Sequence, residues 1–410
     1  MKRLYRSGDQ TLLREINLST VLLTLQQGKA VSRAGLATLT GLNKTTISNL
    51  VEKLSEWGLV HEIGRDTSGN GRPATLIALN PQAGCIIGIE LGVDFISIVL
   101  TDFSGQIIWQ QLAEIDPTIA QNLIIQQALS LVDEAKEIVE SGQQRLLGIG
   151  VTVPGLVKVD EGLLLFSPNL QWRNVPLRQI FFEATKLPIY LENDANAAAL
   201  GEHLFGLARQ TKNFVFLNIG IGIGSGLFLN GELYRGGGGI AGEIGHTNFT
   251  AGSRPCHCGN RGCWETSGNQ YSLIERVWAL LNVGRSSVIS KQVEGKNAQI
   301  TLAMIKEAAE TADEMVLEAL AETGAAIGLG VANIINIFNP DLIIIGGAMS
   351  VFGEHLLPSI NRIIEKHVLT EMRPQTKVLI SSFGTKASVM GAISLVVQAA
   401  LSNPSWVTQG

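Results

Sequence analysis

Four cysteines in 410 residues are too few for a disulfide framework. Charge is also scarce. Asp, Glu, Lys and Arg make up 16% of the chain against 45% hydrophobic residues, which excludes an extended disordered chain and describes one that buries a core. No uninterrupted apolar run approaches the roughly 18 residues of a membrane-spanning helix, so none is expected. The basic start, MKRLYRSGDQ, is followed by no apolar stretch, so no secretory signal is expected and the expected location is the cytoplasm. The length exceeds one ordinary domain, and two or three are expected. A net charge of −5 hides an asymmetry: residues 1–75 hold ten Lys/Arg against six Asp/Glu, and the remainder holds 21 against 30. A basic head on an acidic body suits a polyanionic partner.

Three of the four cysteines stand together. Cys256, Cys258 and Cys263 form C-x-C-x4-C, with His246 ten residues upstream and Glu243 and Glu265 on either side. Three thiolates and one imidazole complete a tetrahedral zinc shell. The alternatives are a disulfide or free thiols; Cys256 and Cys258, two apart, would make a strained bridge and leave a third sulfur over. Four protein ligands leave no position for water, so the expected zinc is structural and not catalytic. Cys85, in an apolar strand-like run, is expected in the core.

The first 80 residues carry helical spacing. Leu13, Ile16, Val21, Leu22 and Leu25 form an apolar stripe over 12–27, which Gly28 stops. Ser32 can cap a short helix, RAGLATLT, that ends at Gly41. Asn43 can cap a third helix with Ile47, Leu50, Val51 and Leu54 as its buried face. Two helices joined by a short Gly-containing turn form the helix-turn-helix pattern. The third opens with Lys44, Thr45, Thr46, Ser48 and Asn49, small polar or basic side chains suited to base edges and phosphates, with Arg33 and Lys53 nearby. Two strand-like runs around GRDTSGNGRP make a hairpin wing, with Arg65 and Arg72 at its tip. The expectation is a winged helix over 1–80 that binds operator DNA, as a homodimer or a tetramer, because a single module grips weakly. The bland alternative is a three-helix bundle with a solvated face.

From Cys85 three strand-like runs form an antiparallel meander, followed by a helix over 119–140 and buried strands ending at VTVPG and LPIYLEND. The pattern then repeats from FVFLNIGIGIGSG. Strands first, then alternating strand and helix, twice over, predicts an α/β fold of two similar domains with a cleft between them. The first is placed at 81–200 and completed by the C-terminal helix, 386–402; the second, with the metal loop, spans 201–385.

The segments LENDANAAALGE, GEIGH, CHCGNRGCWET and IIIGGAMS, in this order, resemble the ROK family (repressors, open reading frames and kinases), over about 10–400. With a winged helix in front, the chain is similar to the repressor branch, which includes xylose and N-acetylglucosamine repressors. The resemblance implies two actin-like, ribonuclease H-like α/β domains of the sugar-kinase type. It also implies that Asn193, Asp194, Glu243, His246 and Glu265 bind sugar hydroxyls, with Gly155 bringing backbone amides near and Asn169 a weaker candidate. Planar polar side chains suit paired hydroxyls. Capping of the following helix is the plainer role for Asn193 and Asp194, compatible with binding. His246 is placed to use one ring nitrogen for zinc and the other for sugar.

In the family's kinases the position of Asp194 is the general base. The phosphate turns decide whether that role survives. The kinases' first turn, Asp-x-Gly-Gly-Thr, is here Glu90-Leu91-Gly92-Val93-Asp94. Asp94 puts a negative charge where phosphates would lie, and two like charges 4 Å apart repel by about 4 kcal/mol at an intermediate dielectric. Ile221 replaces a hydroxyl donor in the second turn. No catalytic residue and no nucleotide are therefore expected; Asp194 is vestigial, and Gly346-Gly347 remain for packing. The expected function is a repressor governed by a xylose- or glucose-type monosaccharide, whose binding releases DNA. The rivals are an ATP-dependent sugar kinase with a DNA head, and a regulator that answers to a protein partner.

Overall fold

The computed structural model describes residues 10–27, 30–66, 74–116, 118–248, 254–293, 300–373 and 375–408. Its head comprises helices α1 (Gln10–Gln27), α2 (Arg33–Thr40) and α3 (Lys44–Glu56) with strands β1 (Val31–Ser32), β2 (Val60–Asp66) and β3 (Ala74–Leu79), in sheet order β1-β3-β2. Local chemistry sets the helix ends. Ser32 accepts from the Gly35 amide to start α2, left-handed Gly41 ends it, and Asn43 accepts from the Thr46 amide to start α3. Ile47, Leu50, Val51 and Leu54 are buried as their spacing predicts. Helix α1 corrects its predicted stripe: Leu13 and Ile16 are 58% and 51% exposed, and Leu18 joins Val21, Leu22 and Leu25 inside. The buried residues of α1 run only from Leu18 to Gln26, so its second half supplies the contact face.

The body has two five-stranded sheets. The first contains β4 (Cys85–Leu91), β5 (Phe95–Asp102), β6 (Ile107–Glu114), β7 (Leu146–Val153) and β11 (Ile189–Asn193), in order β11-β7-β4-β5-β6. Strands β4, β5 and β6 pair antiparallel, and β4, β7 and β11 parallel. Helix α4 (Gln121–Ser141) covers this sheet, and a small sheet of β8 (Leu156–Lys158), β9 (Leu163–Ser167) and β10 (Trp172–Val175) extends it. Helices α5 (Leu177–Thr185) and α6 (Asp194–Leu204) flank β11. The second sheet contains β12 (Phe214–Ile219), β13 (Ile223–Leu229), β14 (Glu232–Leu233), β15 (Leu342–Gly346) and β16 (Lys377–Ile380), in order β14-β13-β12-β15-β16. Helices α7 (Glu265–Gly268), α8 (Gln270–Asn282), α9 (Val288–Val293), α10 (Leu302–Glu310), α11 (Glu314–Phe338) and α12 (Gly353–His367) belong to this lobe. Helix α13 (Ala387–Ser402) returns to the first lobe and lies on β4, β7 and α6.

Among the described residues two segments, Glu314–Phe338 and Gly384–Ser402, are long and apolar enough to cross a membrane by length and composition, a property that buried core helices share. Isolated Glu and Lys residues interrupt their apolar runs. Most of each lies inside the fold, against the two sheets.

Helices α6 and α13 cross in near backbone contact. A Cβ on Gly391 would overlap the Ala197 carbonyl, and one on Gly201 would come 3.0 Å from the Gly391 nitrogen. Both helices end against the head. Val396, Val397, Ala400 and Leu401 share one buried core with Leu18, Val21, Leu22 and Leu25 of α1. At the end of α6, Gln26 Nε2 donates to the Leu204 carbonyl at 2.6 Å, and Arg209 Nη2 donates to the Gln26 carbonyl at 2.8 Å.

Candidate functional site

A cavity of about 1320 Å³ opens between the two lobes. All six residues expected at a ligand, Gly155, Asn193, Asp194, Glu243, His246 and Glu265, line it, and so does Asn169. The first lobe brings Asn193 and Asp194 at the junction of β11 and α6. It also brings Gly155, between β7 and β8, and Asn169, between β9 and β10; the second lobe brings Glu243 and His246 on the irregular segment after β14 and Glu265 at the start of α7. Gly245 allows this path, since a Cβ there would overlap the Ile223 carbonyl of β13.

Asn193 is more occupied than its sequence position suggests. Its Oδ1 accepts from the Ala195 and Asn196 amides, and its Nδ2 donates to the Gly155 carbonyl at 3.0 Å. It therefore caps α6 and fixes the Gly155 turn, and those duties use most of its amide. Asp194 faces the cavity beside it. Its Oδ2 accepts from Asn218 Nδ2 at 2.8 Å, and the same amide lies 3.4 Å from the Ser388 hydroxyl. Burial pushes the Asp194 carboxyl above its usual range, and hydrogen bonds from Ala195 and Asn218 oppose that. Asn218 thus joins the first turns of α6 and α13; a lone amide at the end of the apolar strand FVFLNI was its sequence signal. Glu90 is buried at the end of β4. Desolvation and the neighbouring Asp194 push it up to about 8, against a hydrogen bond from Ser388. One of its carboxylate oxygens has no partner.

The cysteine cluster is compact. Cys258 Sγ lies 3.8 Å from Cys263 Sγ, and Cys256 Sγ 3.7 Å from His246 Nδ1. The four donor atoms of His246, Cys256, Cys258 and Cys263 lie within 4.8 Å of one another. A tetrahedral shell with zinc–sulfur bonds of about 2.3 Å spaces its donors about 3.8 Å apart, so the dimensions suit such an ion. Burial and the adjacent Glu265 raise the Cys256 thiol, and a bound divalent cation would reverse that. His246 Nδ1 faces the sulfurs while Nε2 is 3.8 Å from Glu243 Oε2, on the cavity side. Glu265 bridges the two regions: Oε1 accepts from Cys256 Sγ at 2.8 Å, and Oε2 accepts from the Ile223 amide at 3.3 Å. Trp264 anchors the loop by donating to the Ala326 carbonyl of α11 at 2.9 Å.

The expected phosphate turns also line the cavity, through Glu90, Val93, Asp94, Gly220 and Ile221. The head's polar residues lie elsewhere, on α2, α3 and the wing. Lys44, Thr45, Ser48, Asn49 and Arg65 are exposed and Thr46 is half-buried. Arg33 pairs with Glu62 at 3.1 Å and Lys53 with Glu56 at 2.9 Å, both exposed pairs of little energetic weight. Arg72 lies outside the described residues.

The ROK family model matches residues 86–399. A xylose repressor of Caldicellulosiruptor bescii is 36% identical over 400 residues, 97% of this chain and 100% of that protein. A crystal structure of a ROK family transcriptional regulator, a homolog of the E. coli MLC protein, is 28% identical with a TM-score of 0.81, over 97% of this chain and all of the other. A ROK family glucokinase from Streptomyces griseus, solved with glucose and AMPPNP, is 29% identical with a TM-score of 0.70, over 76% of this chain and 99% of its own.

Proposed function

The chain belongs to the ROK family, and on that premise we propose that it is a sugar-responsive transcriptional repressor that binds operator DNA through its head and a monosaccharide in its cleft. One observation carries the coupling between the two. Helices α6 and α13 both begin at the cavity, where Asn218 joins Asp194 to Ser388, and both end in the core of the head. Helix α6 alone covers 11 residues, about 16 Å at about 1.5 Å per residue. A ligand that repositions Asp194 moves the floor on which α1 rests.

The working units are the head, 1–80, a first lobe, 81–200 with 386–402, and a second lobe, 201–385. The head reads the major groove with α3, and two copies on a two-fold operator supply the affinity that one lacks. The sugar is held by Asp194, Glu243, His246 and Glu265, within a frame set by Asn193 and Gly155. Zinc on His246, Cys256, Cys258 and Cys263 fixes Glu243, His246 and Glu265 in one geometry, and its role is structural. Sugar favours a closed cleft, closure alters the spacing of the paired heads, and DNA is released. Only the difference in sugar affinity between the two states drives that shift. The test is operator binding by the full chain against a panel of pentoses and hexoses, with xylose first; equal operator affinity with and without every sugar would refute the reading.

A kinase reading has Asp194 and the Gly220–Gly226 turn in its favour. Asp94 lines the same cavity with an acidic side chain where phosphates would need donors, Val93 and Ile221 offer no hydroxyl there, and these positions count against it. Turnover in a coupled ADP-release assay would reverse that choice.

A further inference from the structure

One hydrogen bond crosses the mouth of the cavity from lobe to lobe. His257, between Cys256 and Cys258 on the metal loop, places Nδ1 3.1 Å from Oδ1 of Asn169, in the turn between β9 and β10. An amide oxygen only accepts, so the imidazole Nδ1–H donates. The bond therefore decides which way the Asn169 amide faces. With its oxygen held by His257, its nitrogen turns into the cavity. Asn169 Nδ2 and Glu265 Oε2 lie 3.6 Å and 2.8 Å from the point a Cβ on Gly222 would occupy. A fixed donor from one lobe and an acceptor from the other thus converge on the space above Gly222. His257 itself stands outside the four-residue ligand cluster and is exposed at the rim.

We infer that His257 is a positioning residue for the ligand: it holds Asn169 with Nδ2 toward the sugar, so that Asn169 donates to a sugar oxygen while Glu265 accepts from a hydroxyl. The bond exists only while the lobes stand this close, so the metal loop adds a tie across the cleft to the one Asn218 makes with Asp194. The inference rests on the cavity being a monosaccharide site.

Calorimetry with the full-length, zinc-loaded protein and the pentose and hexose panel tests it. His257→Ala is expected to weaken binding of the preferred sugar about three- to tenfold, the range of one lost hydrogen bond. His257→Asn restores most of the affinity, because its amide nitrogen stands where the imidazole Nδ1 stood. In an Asn169→Ala background, His257→Ala changes nothing further, since the two residues act as one unit. Zinc content stays at the wild-type level throughout. Unchanged affinity in His257→Ala, equal losses in both backgrounds, or affinity lost together with zinc would each overturn the inference. A wild-type protein that binds no sugar in the panel would instead remove the functional reading on which it stands.

Discussion

Gln26→Ala probes the junction between cleft and head. The side chain is 8% exposed, and its amide donates to the carbonyl of Leu204, the last residue of α6. The substitution removes that bond but leaves the contact between Arg209 and the Gln26 backbone, so the head keeps its seat while losing one tie to α6. A buried hydrogen bond contributes about 1 kcal/mol net, and the stranded Leu204 carbonyl adds a penalty of similar size. A loss of about 1 kcal/mol in coupling shrinks the effect of sugar on operator affinity about fivefold. Fluorescence anisotropy of a labelled operator duplex, with and without saturating sugar, measures the ratio. Calorimetry without DNA measures sugar affinity, which is expected within about twofold of wild type because Gln26 does not line the cavity. Linkage requires the effect of DNA on sugar affinity to shrink by the same factor. A ratio equal to wild type, with folding intact, would refute transmission through the end of α6.

Further outcomes follow from the metal loop, the buried carboxyl and the recognition helix. Cys258→Ser is expected to bring zinc content close to zero and to weaken sugar binding at least about tenfold, leaving sugar-free DNA binding nearly unchanged; metal-free protein with full sugar affinity would contradict this. Glu90 titrates near 8 in the folded chain, against 4.5 for its ordinary value, so the unfolded chain binds fewer protons between those values. Its contribution to stability is complete below about pH 4.5 and lost as pH rises through about 8. Glu90→Gln should therefore flatten the fall in the urea midpoint between about pH 5.5 and 8.5, leaving the same-signed share of Asp194; an unaltered slope would show that Glu90 does not carry it. Lys44→Ala, at the exposed first position of α3, is expected to weaken DNA binding evenly across sequences and to reduce the salt slope by about 1. A sequence-selective loss would place Lys44 on a base instead of a phosphate.

The parts that could be seen in the sequence are those that local chemistry settles. Ser32 and Asn43 cap the helices they precede, and the apolar face of α3 is the one that is buried. The metal cluster was visible because three of its four ligands fall within eight residues. Other features depend on what the chain meets far away. The spacing of α1 offered Leu13 and Ile16 as core, but which residues are covered depends on where α2, α3, β3 and, about 380 positions on, α13 meet the helix. Asn193 carries both a ligand-type and a cap-type signal, and only the approach of the Gly155 carbonyl commits its nitrogen. The bond between His257 and Asn169 joins residues 88 apart, and the bond between Gln26 and Leu204 joins residues 178 apart. No periodicity reports such pairs.

The core that the head shares with α13 bears on how the protein is made. Val396, Val397, Ala400, Leu401 and Val407 share a buried core with α1, so an element made early is completed by one made about 380 residues later. On the ribosome the head emerges early but lacks its seat until the C-terminal helix has followed. On the proposed reading, a chain ended before α13 would carry α3 without the surface under α1, and is expected to compete poorly for the operator. Hydrogen exchange on α1 would reveal it: chains stopped before Ala387 are expected to lose the slow amides of Leu18–Leu25, and undiminished protection there would show that the head stands alone. On the proposed reading, a chain without α13 would lose both the surface under α1 and one of the two helices that run from the cleft to the head.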